Sequence, residues 1–423
     1  MARTSKTGVI KRGNNLRIWY IDQNGQRVWE TVAVPTIQQA SEIRAKRILE
    51  IKEGIFVNKT TQSLNEFFET FKRDYLIPNT AEVTQNDYQV QYNRYARVLI
   101  GKKNIQKINA QDIYNMYATI RQVTNAGEPT LKNLHAYLRK IFNFAIDLNI
   151  IQRNPMTSVK TPKSAPVSFE VWSQEQVDSF LAYSKARNIW TYYPIALTIM
   201  TGLRRSEVLG LKWEDVDLEK KLLRLTRTVH QIKGKKYPVI SSGKTKKSMA
   251  TIPMPTVAVN LLHEVKANQL LTVSEFGAEN FNNAEGWCFV NSFGKLINVD
   301  WLTKSFNRNL NSYINVFNVS QEPDSLDKFK KLDSLLVNNV GARIDFVVDG
   351  LPALKKPMNL RGFRHLFATF LLQKNAHPRV VQELLRHTTF KLTMDTYSHV
   401  VESMGRDAVS LIDESFTESK SVN

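Results

Sequence analysis

Leu360-Arg-Gly-Phe-Arg-His-Leu-Phe-Ala-Thr369 is the stretch on which the reading of the fold turns. Leu366, Phe367, Phe370, Leu371 and Leu372 fall at helical spacing and read as helix core, with His365 beside Arg364 as a structural hydrogen-bonding residue. Two segments follow it: Val380-Val-Gln-Glu-Leu-Leu-Arg-His387 and Thr393-Met-Asp-Thr-Tyr-Ser-His-Val400. A fourth lies far upstream, Thr201-Gly-Leu-Arg-Arg-Ser-Glu-Val-Leu-Gly-Leu211, and reads as a helix start with Glu207 in its early turns. Arg204 and Arg205 are odd there, because the helix dipole disfavours cations at an N-terminus unless an anion lies close by. Taken singly, these residues have ordinary readings. The arginines are surface cations, Lys244 is an exposed turn lysine, His387 is a helix C-terminal cation, Asp395 supports a local turn, and Tyr397 is a packed or surface tyrosine.

Composition narrows the class. The chain has 423 residues, with 58 Lys and Arg against 39 Asp and Glu, a net charge of +19. That length predicts two or three domains, and 42% hydrophobic residues is too many for a disordered chain. The cationic surplus favours a polyanionic partner, since Lys and Arg contacts to phosphates release counterions and steer association. A single cysteine, Cys288, excludes an internal disulfide framework and suits a reducing cytoplasm. Seven histidines with one cysteine are a poor inventory for a metal site, so neither metal nor cofactor is expected. No apolar leader and no run of 18 apolar residues occurs, so neither secretion nor a membrane is expected.

Along the chain the fold class reads as multidomain α+β. Residues 1–57 carry ten basic and five acidic residues, and two alternating runs, Leu16-Ile18-Tyr20 and Val28-Glu30-Val32, flank Asn24-Gly25, the signal of a tight hairpin. A helix from Ile37 to Gly54 completes a small basic sheet-and-helix domain, either an oligomerisation module or a groove binder with Lys11, Arg12 and Arg17 as candidate DNA contacts. Residues 58–154 read as all-helical. Their clearest helix begins at Pro129 and places Leu131, Leu134, Leu138, Ile141, Phe142, Ala145 and Leu148 on one face, leaving Lys132, His135, Arg139, Lys140 and Asn143 largely off it. Lys132, Arg139 and Lys140 are candidate backbone contacts. Residues 155–168, rich in proline, lysine and serine, read as a linker. Residues 169–400 are mixed and mainly helical, with a strand-rich stretch from Leu222 to Pro253 forming a small antiparallel sheet. Residues 401–423 form a tail in which Ala408, Leu411, Ile412 and Phe416 follow a helical pattern.

The four quoted segments, in their order along the chain and at compatible spacing, resemble the tyrosine recombinase (phage integrase) family. The resemblance implies the following roles. Arg204 and Arg364 match the two phosphate-clamping arginines, and Glu207 the acid that buttresses the first. Lys244 lies where the family has a lysine that protonates the leaving 5′ oxygen, with Lys246 and Lys247 as neighbours. His387 matches the histidine of the final box and Tyr397 the nucleophile. Arg361 stands where the family usually has histidine, and arginine donates hydrogen bonds but does not act as a base. In layout the N-terminal domain resembles an arm-site-binding domain, the helical domain a core-binding domain and the third a catalytic domain. The stretch from Phe317 to Pro357 looks like an insertion.

The chemistry so implied is consistent with elementary physics. Attack of a tyrosine oxygen on a phosphodiester builds charge on the non-bridging oxygens, which forked guanidiniums stabilise while remaining charged. The expected function is site-specific integration or excision of a mobile element in double-stranded DNA, by a homotetramer on paired sites, with an excisionase or DNA-bending helper as a further partner. The expected location is the cytoplasm, at the nucleoid. Two rival readings are a type IB topoisomerase-like enzyme and a DNA-binding regulator that has lost activity, the latter raised by Arg361.

Overall fold

The computed structural model describes residues 8–13, 15–22, 25–54, 56–57, 59–164, 172–232, 234–235, 238–242, 250–320, 358–387 and 389. The chain divides into two compact units, Met1–Pro166 and Val167–Asn423. Among the described residues no helix is long and apolar enough to cross a membrane.

The first unit opens with an antiparallel sheet, β1 (Val9–Arg12), β2 (Asn15–Ile21) and β3 (Arg27–Val32), in that spatial order. Alternation along β2 sends Leu16, Ile18 and Tyr20 into a core with Val9, Val32, Ala40 and Phe56. On the alternate positions, Trp19 and Trp29 are register partners, Arg17 lies 5.4 Å from the Trp29 ring and Arg27 4.5 Å from the Trp19 ring. Helix α1 (Ile37–Lys52) is capped by Thr36 and packs on β2. The structure corrects the sequence reading at two points here. The basic stretch before residue 13 supplies a third strand, and the hairpin is not a two-residue turn: the last pair is Ile21 with Arg27, and the Gln26 backbone N–H donates to the Asp22 carboxylate at 2.8 Å.

The helices that follow are α2 (Leu64–Phe71), α3 (Glu82–Gln91), α4 (Ala110–Val123) and α5 (Glu128–Asp147). The first two each run on through a π-helical turn, Lys72–Leu76 and Tyr92–Ala96. Ser63 with Glu66, and Asn109 with Asp112, form capping boxes that fix where α2 and α4 begin. In α5 the face from Leu131 to Ala145 is buried and Lys132, Arg139 and Lys140 are exposed. His135 departs from the sequence reading: it is buried, with Nδ1 3.1 Å from the Tyr117 hydroxyl and Nε2 3.3 Å from Thr161. Burial of an imidazole is tolerated because both ring nitrogens meet hydroxyls. The linker reading also shifts, since Met156 and Val159 enter this core and Asn154 donates to the Arg139 carbonyl and accepts from the Met156 N–H.

The second unit is built on α7 (Ile189–Thr201), which follows α6 (Gln174–Arg187). Tyr193, Ile195, Ala196 and Leu197 of α7 are all buried, the pattern of a helix surrounded by protein. Packed on it are α9 (Thr256–Phe276), α10 (Val299–Ser320) and α11 (Leu360–Gln373), while the short α8 (Arg205–Val208) and α12 (Pro378–Leu385) sit at its end and against α11. The strand-rich stretch resolves into two sheets. The strands β4 (Val216–Asp217), β5 (Leu222–Leu225) and β8 (Ala250–Pro253) pair in one, β6 (Arg227–His230) and β7 (Val239–Ser242) in the other. Of the expected insertion from Phe317 to Pro357, residues 317–320 end α10 and 321–357 lie outside the described residues, as does the tail from 401 to 423 with Ala408, Leu411, Ile412 and Phe416.

Phe363 on α11 is fully buried, with ring centroids of Trp172, Phe180 and Phe306 at 5.7, 6.0 and 5.5 Å. Truncating it leaves a cavity between α6, α10 and α11. Phe363→Ala is expected to cost about 3–5 kcal/mol, read by denaturant unfolding. A loss below about 1 kcal/mol would show that these rings do not seat α11.

Candidate active site

The site is assembled at the end of α7. Thr201 closes the helix and Gly202 turns the chain in the left-handed region, φ 65°. A Cβ there would lie 2.5 Å from the Phe367 ring, so both the backbone angle and the approach of α11 require glycine. The chain thus leaves α7 with the Gly202 carbonyl turned toward α11, where Arg364 Nη1 donates to it at 2.7 Å. Arg364 is 7% exposed, and its Nη2 donates to the Leu385 carbonyl at the end of α12. One buried guanidinium therefore joins three segments distant in sequence.

Two residues beyond Gly202, Arg204 occupies the position before α8. Glu207 reaches back to it: Oε2 accepts from the Arg204 backbone N–H at 2.8 Å and Oε1 from Nη1 at 2.7 Å. The adjacent Arg205 instead donates to Thr303 on α10, so it is Arg204, the first of the two, that Glu207 holds. Gly210 ends this segment against β6, where a Cβ would stand 2.6 Å from the Arg227 carbonyl oxygen. The Arg204 side chain is 48% exposed, whereas that of Glu207 is 9% exposed. Burial pushes the Glu207 carboxyl up, but Arg386 and Arg204 with the Arg204 N–H outweigh it and hold the group below its ordinary range.

Arg361, Arg364 and His365 share α11, with Arg361 exposed on its first turn. His387 follows α12, its backbone N–H donating to the Gln382 carbonyl at 3.1 Å. Burial, then Arg364, Arg204, His365 and Arg361, push the His387 imidazole down to about 4. Burial, then Arg361 and Arg364, do the same to His365. The four residues Arg204, Arg361, Arg364 and His387 therefore share one electrostatic field, although 183 positions separate the first from the last. Such a concentration of guanidiniums is a seat for a phosphate-like anion. It is distinct from an apolar cavity of about 1100 Å³ lined by Phe367, Phe370 and Leu371, which none of these cations lines.

Sequence reasoning missed Arg386. It donates through Nη2 to Glu207 Oε2 at 2.6 Å, and its side chain is 7% exposed. The available signal was a cation next to His387, with nothing to say that it turns inward. Lys244, Lys246, Lys247, Asp395 and Tyr397 lie outside the described residues. In the first unit Lys11 and Arg12 are exposed on β1, Arg17 lies over Trp29, and Lys140 of α5 sits 4.7 Å from the Tyr75 ring.

The histidines give a pH signature. Their folded-state pKa of about 4 lies below the unfolded value, about 6.5, so the unfolded chain binds more protons between these limits. Their contribution to stability is intact above that window and is lost as pH falls through it. The thermal transition is expected to drop between pH 7 and pH 5, and to drop less in His365→Asn with His387→Asn. An unchanged pH slope in that double variant would reject this account.

The family model described as the Phage integrase family matches residues 170–321, which include Arg204 and Glu207 and end before α11. A protein named Tyrosine recombinase XerC-like, from Caldanaerobacter subterraneus subsp. tengcongensis, is 26% identical over 97% of this chain and 99% of its own length. The ICEBs1 integrase of Bacillus subtilis is 22% identical, with 92% of this chain and 93% of its own length covered. Among solved structures, the Tn1549 transposon integrase in complex with transposon right end DNA superposes with a TM-score of 0.61 at 19% identity, over 83% of this chain and 100% of that one. A lambda integrase tetramer bound to a Holliday junction gives 0.52 at 12% identity, over 94% of this chain and 96% of that one. At these identities the structural likeness is one of fold, and it agrees with a multidomain α+β chain. Relatives matched over nearly the full length, and a family match across the segment that presents Arg204, support a tyrosine recombinase integrase.

Proposed function

We propose that this chain integrates or excises a mobile element by cutting and rejoining double-stranded DNA through a 3′-phosphotyrosine on Tyr397. The observation that carries the reading is the meeting of Arg364 with the turn that presents Arg204, through the Gly202 carbonyl. In this reading Arg204 and Arg364 hold the non-bridging oxygens of the scissile phosphate. Glu207 orients Arg204, and Lys244 delivers the proton to the leaving 5′ oxygen. Arg361 adds charge at the rim from the first turn of α11.

His387 is held neutral by burial and its cationic neighbours. An arriving phosphate offsets those cations and raises the proton affinity of the imidazole, which fits it to accept the Tyr397 proton or to hydrogen-bond a phosphate oxygen. The phosphotyrosine link retains the energy of the broken bond, so rejoining needs no nucleotide cofactor. Residues 1–57 serve in this scheme as an arm-type DNA-binding domain with Lys11, Arg12 and Arg17, and 58–154 as a core-binding domain with Lys132, Arg139 and Lys140. Residues 155–168, the first of which pack into that helical core, link these to a catalytic domain, 169–400, and the tail, 401–423, packs on a neighbouring subunit of a homotetramer. A DNA-bending helper or excisionase and a cytoplasmic, nucleoid-associated location complete the reading.

The test is a nicked DNA substrate that traps the covalent intermediate. The unaltered chain is expected to become joined to DNA at Tyr397, and Tyr397→Phe to bind DNA without joining it. Arg204→Ala is expected to slow joining on the order of 10²- to 10³-fold, the loss typical of one oxyanion donor. Joining at another residue, or none at all, would sink the proposal. Replacing the rim arginine by the residue usual in the family, Arg361→His, is expected to leave joining in place. Adduct from that variant alone would show that Arg361 disables the site.

A further inference from the structure

Arg386 stands where the backbone asks for glycine. It follows α12 with φ 53° and ψ 45°, the left-handed region in which a side chain clashes with its own backbone. The residues on either side are held as well: Arg364 donates to the Leu385 carbonyl, and Gln382 exchanges hydrogen bonds with the backbone of His387. The Arg386 side chain runs inward to Glu207, 179 positions earlier, and meets it at 2.6 Å where both side chains are less than 10% exposed. Glu207 is therefore shared by two guanidiniums, one buried and one half-exposed. Were Arg204 its only partner, a buried carboxylate would pull that guanidinium inward and cancel its charge at the place where an anion arrives.

We infer that Arg386 is a positioning residue of the recombination site: it neutralises Glu207 so that Arg204 keeps its charge for the phosphate, and it fastens the His387 turn to the Arg204 turn. This rests on the recombinase reading above. Neither job belongs to the backbone of residue 386, which glycine would serve better. The two roles of the position, turn and ion pair, can therefore be separated by substitution.

The experiment is single-turnover joining of the full-length chain to the nicked DNA substrate, with DNA affinity measured alongside. Arg386→Gly is expected to bind DNA as the unaltered chain does yet to join it about 10- to 100-fold more slowly, the range that coupling between contacting residues spans. Arg386→Lys, which keeps the cation, is expected to recover part of that loss. Adding Glu207→Gln to Arg386→Gly is expected to cost less than Glu207→Gln costs in the unaltered chain, because the two residues act as a pair. Normal joining by Arg386→Gly overturns the inference while leaving the recombinase reading intact, and so does a double variant whose losses simply multiply. Should the glycine variant fail to fold, Arg386→Gln against Arg386→Lys decides, with equal rates overturning the inference. Absence of adduct from the unaltered chain overturns the recombinase reading itself, and this inference with it.

Discussion

A hydrogen bond from Arg364 to the carbonyl of Gly202 is the constraint on which the rest of the site depends. It requires the chain to leave α7 in a left-handed turn, which only a residue without a Cβ makes while Phe367 lies so close. It also requires α11 to lie along α7, which the burial of Phe363 among Trp172, Phe180 and Phe306 ensures. Hydrophobic packing thus sets the distance between two helices, and the guanidinium converts that distance into a fixed orientation. Arg204 inherits its place from this turn, two residues on.

The balance of charge follows from the same geometry. Gathering Arg204, Arg361, Arg364 and Arg386 in one region is unfavourable until something anionic offsets them. In the folded chain the offset comes from Glu207, which is held ionised by its two arginine neighbours and the Arg204 N–H. Its two oxygens serve the inner cation Arg386 and the outer cation Arg204. A buried ion pair adds little to stability in general, but removing one of its members leaves the other charge stranded, so the pair fixes geometry more than it adds energy.

Much of this was legible in the sequence and some of it was not, for identifiable reasons. The face of α5 from Leu131 to Ala145 is a local periodicity, and a local pattern suffices to read it. His135 was misplaced because its burial depends on Tyr117 and Thr161, partners on other segments. β1 was missed because its Lys11 and Arg12 face outward, so that a short strand with one apolar end has no alternation to show. The four boxes around Arg204, Arg364, His387 and Tyr397 carried the family. They set Arg204 apart from Arg205 by its place directly after Leu203, whereas the contact that separates the two, with Thr303 on α10, belongs to the folded state. Arg386 was invisible for the strongest reason: its backbone angle and its partner both belong to the folded state.

The long-range pairs also bear on how such a site stays ready without substrate. Segments 202–207 and 360–387 are separated by more than 150 residues, yet two bonds join one to the other: Arg364 to Gly202 and Arg386 to Glu207. Cations held this way do not depend on the phosphate to arrange them, so the cost of assembling like charges is met during folding and not at binding. Burial, aided by arginines of this cluster, keeps His365 and His387 neutral. A phosphate entering the field cancels part of the repulsion and raises the proton affinity of both imidazoles. In the proposed reaction, binding of the anion and readiness of the imidazoles to accept a proton are coupled through the arginines.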